Sequence, residues 1–367
     1  MKRQLAAALR PRSRVTVYGW LVVVSLGLLI SACASVGPRT IPRDQFDYGA
    51  AIRNSSKEQL LSNMVGLRYV DAPVFVDVAS VINQYSLEGS VELGAGSNSS
   101  FIGGDTANIG GTATYADRPT ITYTPISGRK FASSLLTPVA PENIFALVQA
   151  GWPADVILRL TVRSINGIDN EWASPANRKV ADPRFTELLR VWGRLRKSRS
   201  VGLRRDQGET GARIFVYHSA QGMTDEGKRD LAFLQETLGL DPNVTEYQLS
   251  YGLVPDGPNE IRVMTSSILQ IMNELAWRID VPPQHVAEGR TGPTFADHDA
   301  DAGPLIRVYT SEDELLESYV VVRNRNHWFY IDDRDVVSKR TFAMLQVILS
   351  LTDTGEGARG PVVTISN

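Results

Sequence analysis

The chain has 367 residues, with 38 basic side chains against 40 acidic ones and a single cysteine. That composition suits one large or two ordinary folded domains rather than disorder. It excludes an internal disulfide, and the lack of any basic excess argues against a nucleic-acid partner.

The first 33 residues have the layout of a secretory signal. Lys2, Arg3, Arg10, Arg12 and Arg14 precede an uncharged run from Val15 to Ile30, and Ser31-Ala32 leads to Cys33. The run is short of the roughly 20 residues a spanning helix needs. It also ends on small residues rather than on charges, so an uncleaved anchor is the weaker reading. Small residues set directly before a cysteine resemble a bacterial lipobox. The resemblance implies a signal peptide over residues 1–32, cleavage before Cys33, and acylation of that cysteine. Ala34 stands where an inner-membrane retention signal carries Asp, so the implied address is the outer membrane, facing the periplasm, with the bilayer held through acylated Cys33. One acyl chain anchors only marginally, whereas a triacylated cysteine holds firmly. Loss of the leader leaves 33 basic residues against 40 acidic, and lipid on Cys33 leaves no thiol for catalysis or metal binding.

Residues 33–46, with two prolines and a glycine, read as a tether. Ser55-Ser56-Lys57-Glu58 offers a capping box, and Leu60, Leu61, Met64, Val65 and Leu67 follow at helical spacing. Asp71-Ala72-Pro73 ends that helix, because the residue before proline is pushed out of the α region.

From Val74 to Pro125 the period changes to two, which predicts a long β-hairpin. Tyr85, Leu87, Gly89, Val91, Leu93 and Ala95 share one face, and Glu88 and Glu92 lie on the other. After a Gly/Ser/Asn-rich loop, Ile109, Gly111, Ala113 and Tyr115 resume the apolar face, which runs on to Ile121 and Tyr123. Two readings compete. The apolar face packs on the protein's own helices, or each strand supplies the 9–11 residues that cross a bilayer. A lone hairpin has unpaired edges in lipid, so crossing requires a ring of subunits. In that layout, though in no shared motif, it resembles the curli-secretion lipoprotein channels. The candidate membrane residues are Tyr85, Leu87, Val91, Leu93, Ile109, Tyr115 and Tyr123.

Pro141 opens a short helix closed by Gly151 and Trp152-Pro153. Val156 to Ile165 alternates and predicts a strand running into an Asn166-Gly167 turn. Asp182-Pro183 starts a helix to about Ser200, with Phe185, Leu188, Leu189, Trp192 and Leu195 as its buried stripe. Composition shifts near Asn170, giving an expected division into residues 47–170 (helix plus hairpin) and 171–367 (an α+β domain). In the second part, strands are expected at Arg213–Tyr217, Tyr247–Leu253, Ile261–Met264, Leu305–Tyr309, Tyr319–Val322, Trp328–Ile331 and Pro361–Ile365. Helices are expected at Asp225–Leu238, Ser266–Arg278, Glu312–Glu317 and Val337–Leu351. The predicted class is α+β, with mixed helices, mostly antiparallel strands and a long N-terminal hairpin.

Chemistry is sparse in this pattern. His218, His285, His298 and His327 are scattered without ligand spacing, so no metal site and no cofactor are predicted. Asp297-His298-Asp299-Ala300-Asp301 opens like a calcium loop but lacks its glycine and its terminal glutamate. Ser127-Gly128-Arg129-Lys130 has Ser-x-x-Lys spacing without the partner motifs of penicillin-binding enzymes. Arg190, Arg194, Arg196, Lys197 and Arg199 form the densest basic run, either the wet face of a helix or a candidate contact for anions or an acidic partner. Asp332 to Asp335 follow an aromatic strand. They read as acid–base groups or as a turn with Asp335 capping the next helix.

Gln59-Leu60-Leu61-Ser62-Asn63, Leu67-Arg68-Tyr69-Val70-Asp71-Ala72-Pro73, Gln84-Tyr85, Trp328-Phe329-Tyr330-Ile331-Asp332-Asp333-Arg334-Asp335 and Ser338-Lys339-Arg340-Thr341-Phe342 carry a wider resemblance. They are similar to motifs of a family of proteobacterial outer-membrane lipoproteins of unknown function. The resemblance covers most of the mature chain and implies the address, but no catalytic residues. The functional expectation is a non-enzymatic assembly or interaction component of the envelope, working with a protein partner or as a homo-oligomer. Its alternatives are an oligomeric outer-membrane pore built from the 85–123 hairpin and, more weakly, an envelope hydrolase.

Overall fold

The computed structural model describes residues 37–82, 85–96, 106–117, 120–173, 178–208, 211–219, 222–295, 303–315 and 317–352. The leader with Cys33, the hairpin tip, the Asp297–Asp301 stretch with His298 and the strand expected at Pro361–Ile365 lie outside those residues. The chain divides into two units, residues 1–55 and 56–367. Everything that follows, apart from the first turns of one helix, concerns the second. The protein is α+β, with helices set beside mostly antiparallel sheets.

Helix α1 spans Gly37–Arg68. It begins well before the Ser55 capping box, so the segment expected as a tether is helical from Gly37 onward. Pro38 at the second helical position removes no intrahelical hydrogen bond. The later part of α1 buries Leu60, Leu61, Met64, Val65 and Leu67, the face its spacing predicts. The helix closes in a Schellman arrangement, with Asp71 N–H bonded to the Gly66 carbonyl at 2.9 Å and Val70 N–H to that of Leu67 at 3.0 Å. That motif needs a left-handed residue, normally glycine or asparagine. Here it is Val70, at φ 64° and 65 % exposed. A β-branched residue in this region is strained.

The main sheet has six strands in the order β6-β5-β12-β11-β10-β9. Its members are β5 (Val162–Ile165), β6 (Ile168–Asp169), β9 (Val201–Gly208), β10 (Gly211–His218), β11 (Glu246–Tyr251) and β12 (Glu260–Thr265). Only β11 and β12 run parallel. One sheet thus joins residues from both sides of Asn170, so the division expected there does not separate structural parts. Side chains alternate strictly on β12, where Ile261, Val263 and Thr265 point inward. Asn166 and Gly167 both take positive φ, 46° and 79°, as the two-residue turn between β5 and β6 requires.

Helices α3 (Pro141–Gln149), α4 (Ala154–Thr161), α5 (Pro183–Lys197) and α6 (Asp225–Leu238) share one hydrophobic core with this sheet. They follow a short helix, α2 (Gly128–Phe131), which runs into a π-helical turn at Ala132–Leu136. The stretch from Ala154 to Thr161, expected as a strand, is helical, and only its end enters β5. Ile157, Leu158, Leu160 and Thr161 are its buried residues, a helical pattern. Thr161 also bonds back to the Ile157 carbonyl at 2.8 Å.

A three-stranded sheet, β13 (Tyr309–Ser311), β15 (His327–Asp332) and β14 (Ser318–Asn324), stands in that order. With α7 (Ile268–Ala276), α8 (Pro283–Ala287) and α9 (Val336–Thr352), it completes the described fold apart from a short β7–β8 pair (Trp172–Ala173, Arg178–Lys179) and the ribbon treated below. Leu305, Ile306 and Val308 are buried but precede β13 rather than forming a strand. The expected helix at Glu312–Glu317 does not form among the described residues. Ser311 instead accepts the Asp313 N–H at 3.1 Å in a local turn.

Replacing Val70 by glycine relieves the left-handed strain and loses little burial. The substitution is expected to stabilise the fold by about 1 kcal/mol, read as a higher urea midpoint with an unchanged slope.

Candidate functional site

The predicted hairpin is a two-part ribbon. Strands β2 (Tyr85–Gly96) and β3 (Thr106–Asp117) pair over twelve positions, and β1 (Val76–Ile82) pairs with β4 (Thr120–Pro125) at the base. The register sets Leu87 opposite Tyr115, Val91 opposite Gly111 and Leu93 opposite Ile109. Tyr85 stands opposite Asp117. At the base a bulge between Val78 and Ser80 shifts the parity. Val78 faces Tyr123 and Val81 faces Ile121, which keeps these side chains on a common face. Tyr123 is 58 % exposed and Ile121 is exposed as well. Among the described residues, neither pair of strands joins another sheet.

Helix α1 holds the base of this ribbon with two side-chain amides one turn apart. Gln59 gives Nε2–H to the Val76 carbonyl and takes its N–H (3.0 and 2.7 Å), and Asn63 does the same with Val74 (2.8 and 2.8 Å). The two amides act as a mock strand, which explains the spacing of the Gln59–Asn63 motif. On the other side, Lys130 pairs with Asp77 at 3.2 Å. That use, with Ser127 preceding α2, accounts for the Ser-x-x-Lys spacing.

The basic run is largely neutralised within the fold. Arg194 makes two 2.8 Å bonds to Asp230 and reaches Glu187 at 3.4 Å, and Arg190 meets Glu187 at 3.5 Å. The Arg194 pairing holds the Asp230 carboxyl below its ordinary range. Arg196 donates to the Val148 carbonyl at 3.3 Å. Lys197 and Arg199 are exposed at the end of α5, where cations suit the helix dipole. The carboxylates after β15 also have structural work. Asp335 accepts from Ser338 N–H (3.0 Å) and Oγ–H (2.6 Å) as the cap of α9, Asp332 accepts the Arg334 N–H at 2.8 Å, and Asp333 pairs with Lys339 at 2.7 Å.

Sequence spacing concealed a buried polar centre beneath the end of α1. Arg68 is fully buried. It donates to the carbonyls of Ile279 (3.3 Å) and Gly292 (2.8 Å) and to the Thr291 hydroxyl, and its guanidinium lies 4.6 Å from the Trp277 ring centre. Burial lowers its pKa to about 10, which leaves it cationic at neutral pH. The next residue, Tyr69, brings its hydroxyl to 2.7 Å from His285 Nδ1. Burial raises the tyrosine pKa. His285 and His327, expected to stand apart, have ring centres 5.0 Å apart. Arg325, at the β14–β15 turn, covers the Tyr69 ring at 4.6 Å and pairs with Asp71 at 2.9 Å. Phe329 closes the cluster at 6.3 Å from Tyr69. The separate Leu67–Pro73 and Trp328–Asp335 motifs therefore pack on each other. No group of three metal-ligating side chains occurs among the described residues.

A second feature missed from sequence is a polar cleft of about 270 Å³ between α7 and the β5–β7 segment. Glu274, on its wall, is buried and pairs with Arg278 at 2.6 Å, and Arg278 also meets Glu171 at 3.6 Å. Burial pushes the Glu274 carboxyl upward against the pull of Arg278. The i,i+4 spacing of Glu274 and Arg278 was visible, but it reads equally as a surface pair.

No protein-family model, curated protein or solved structure matches the chain.

Burial, reinforced by Arg290, His327 and Arg325, lowers the His285 pKa below the ordinary 6.5, and Glu288 opposes the shift weakly. The unfolded chain therefore binds this proton first. The contribution is whole above 6.5 and is lost as the pH falls from there through the lowered folded value. Urea unfolding is expected to show wild-type stability falling as the pH drops below about 6.5, with a clearly flatter dependence in His285→Gln.

Proposed function

We propose that the protein is a lipid-anchored envelope component, held in the outer membrane through Cys33 and facing the periplasm, that acts by association rather than by catalysis. The observation that carries this reading is the β2–β3 ribbon. It is twelve residues long in each strand, apolar at alternating sequence positions, and joined to no other sheet among the described residues. A ladder that adds nothing to the protein's own sheets is suited to meeting another surface. The lipobox preceding Cys33 supports the address. Asp332, Asp333 and Asp335 each have a partner within the fold, which suits a structural use of that turn.

The same ribbon supports one further reading. Twelve residues per strand exceed the 9–11 needed to cross a bilayer, and a ring of such ribbons satisfies the ladder edges that one ribbon leaves open. In that arrangement the partner is a second copy of the chain. In the first it is another envelope protein.

Both readings require the anchor and the apolar face. Cys33→Ala is expected to abolish palmitate labelling and release the protein from membranes. Val91→Asp combined with Leu93→Asp is expected to eliminate cross-linked complexes of the lipidated protein while its circular dichroism and unfolding midpoint stay unchanged. Complexes that persist in the double variant would sink the ribbon's role. Unchanged palmitate labelling of Cys33→Ala would sink the anchor.

A further inference from the structure

The polar cleft plays no part in the ribbon reading and carries an inference of its own. Its hydrogen-bond inventory is unbalanced. Two of the acceptors on the wall are spent: Glu274 takes Arg278 Nη2–H at 2.6 Å and the Ala173 N–H, and Gln270 Oε1 takes the Ser267 N–H at 3.0 Å in the capping box of α7. Asn170 is engaged at both ends, giving Nδ2–H to the carbonyls of Arg159 and Val162 (2.8 and 2.7 Å) and accepting the Glu171 N–H at 2.8 Å. The donors are not spent. Among the described residues, no protein group accepts from the Arg163 guanidinium, from Gln270 Nε2 or from the Asn273 amide, all of which line the cleft.

Arg163 is held without being consumed. Its guanidinium sits 4.8 Å from the Trp172 ring centre, a contact that orients the fork but occupies none of its N–H groups in a hydrogen bond. Gln270 and Asn273 lie one turn apart on α7, so their amides fall on one helix face. The two carboxylates of the wall, Glu171 and Glu274, are drawn to Arg278, which offsets one of their two charges, and Arg163 adds a second cation to the same wall.

We infer that this cleft binds a small organic carboxylate. A carboxylate accepts only, has two oxygens matched to a guanidinium fork, and answers the open N–H groups of Arg163, Gln270 and Asn273, which outnumber the one open amide oxygen beside them, Asn273 Oδ1. The cleft, about 270 Å³, lies near the lower end of small-molecule pockets, about 300 Å³ and upward. That size suits a single acidic sugar or a short peptide terminus, and either source presents the same group.

Isothermal titration of the full-length lipidated protein in detergent, with sodium glucuronate and with alanyl-alanine, tests the assignment. Glucose and inorganic phosphate serve as comparators. Saturable binding of at least one carboxylate probe is expected, and the stronger of the two identifies the source. Arg163→Met, which keeps an apolar stem against Trp172, is expected to weaken binding by about tenfold or more, with Arg163→Lys intermediate. Asn273→Asp, which places a negative charge in the cleft without touching Trp172, is expected to weaken it similarly. Absence of saturable binding by both carboxylates would overturn the assignment. So would equal binding of glucose or phosphate, or affinities that both the Arg163→Met and Asn273→Asp variants leave unchanged.

Discussion

A buried guanidinium sets the terms for much of this structure. Taking an ion out of water costs several kcal/mol unless its donors are answered, and Arg68 is answered by carbonyl and hydroxyl groups between Ile279 and Thr294 together with the face of Trp277. Satisfying it fixes the end of α1 against a segment more than two hundred residues away in sequence. Once Arg68 is placed, Tyr69 must point at His285, and Asp71 must meet Arg325 at the tip of the β14–β15 turn. The strained Val70 lies between these fixed residues. Neighbours held this firmly impose a left-handed conformation that valine would not choose.

From that fixed end, the same helix holds the ribbon. Gln59 and Asn63 offer the backbone of Val74 and Val76 the pairing that a neighbouring strand would supply. The bulge at the base then preserves one apolar face through Val78, Val81, Ile121 and Tyr123. In the proposed reading, the lipid on Cys33 brings this ladder to a membrane surface, and the solitary cysteine has its explanation there. The body is built from one hydrophobic core, while the ribbon is held by strand pairing and, at its base, by Gln59, Asn63 and Lys130.

Elements with a single admissible period were legible in the sequence. Asp225–Leu238 is helical over the bounds its spacing predicts, and the alternation from Tyr85 to Ala95 and from Ile109 to Tyr115 survives in the ladder register. Legibility failed where two periods fit the same residues. Val156 to Val162 satisfies alternation, yet Ile157, Leu158, Leu160 and Thr161 also make a helix face, and the helix prevails after Pro153. The polar centres were hidden for a different reason. Arg68 looks like a solvated end of a helix, and His285 and His327 come from distant elements whose meeting no local spacing records. The donor excess of the cleft depends on which amide oxygens are already engaged, information that exists only once α7 faces β5 and β7.

The central claim is that the ribbon serves association and that the fold does not depend on it. Ile82 and Thr120 are register partners at its root, so residues 83–119 can be replaced by an Asn-Gly turn that closes β1 onto β4 directly. Thermal unfolding of this shortened protein is the most direct measurement. A single cooperative transition within about 2 °C of the intact protein is the predicted result. A large fall in midpoint, or loss of the cooperative transition, would show that the ribbon belongs to the core and would contradict the account.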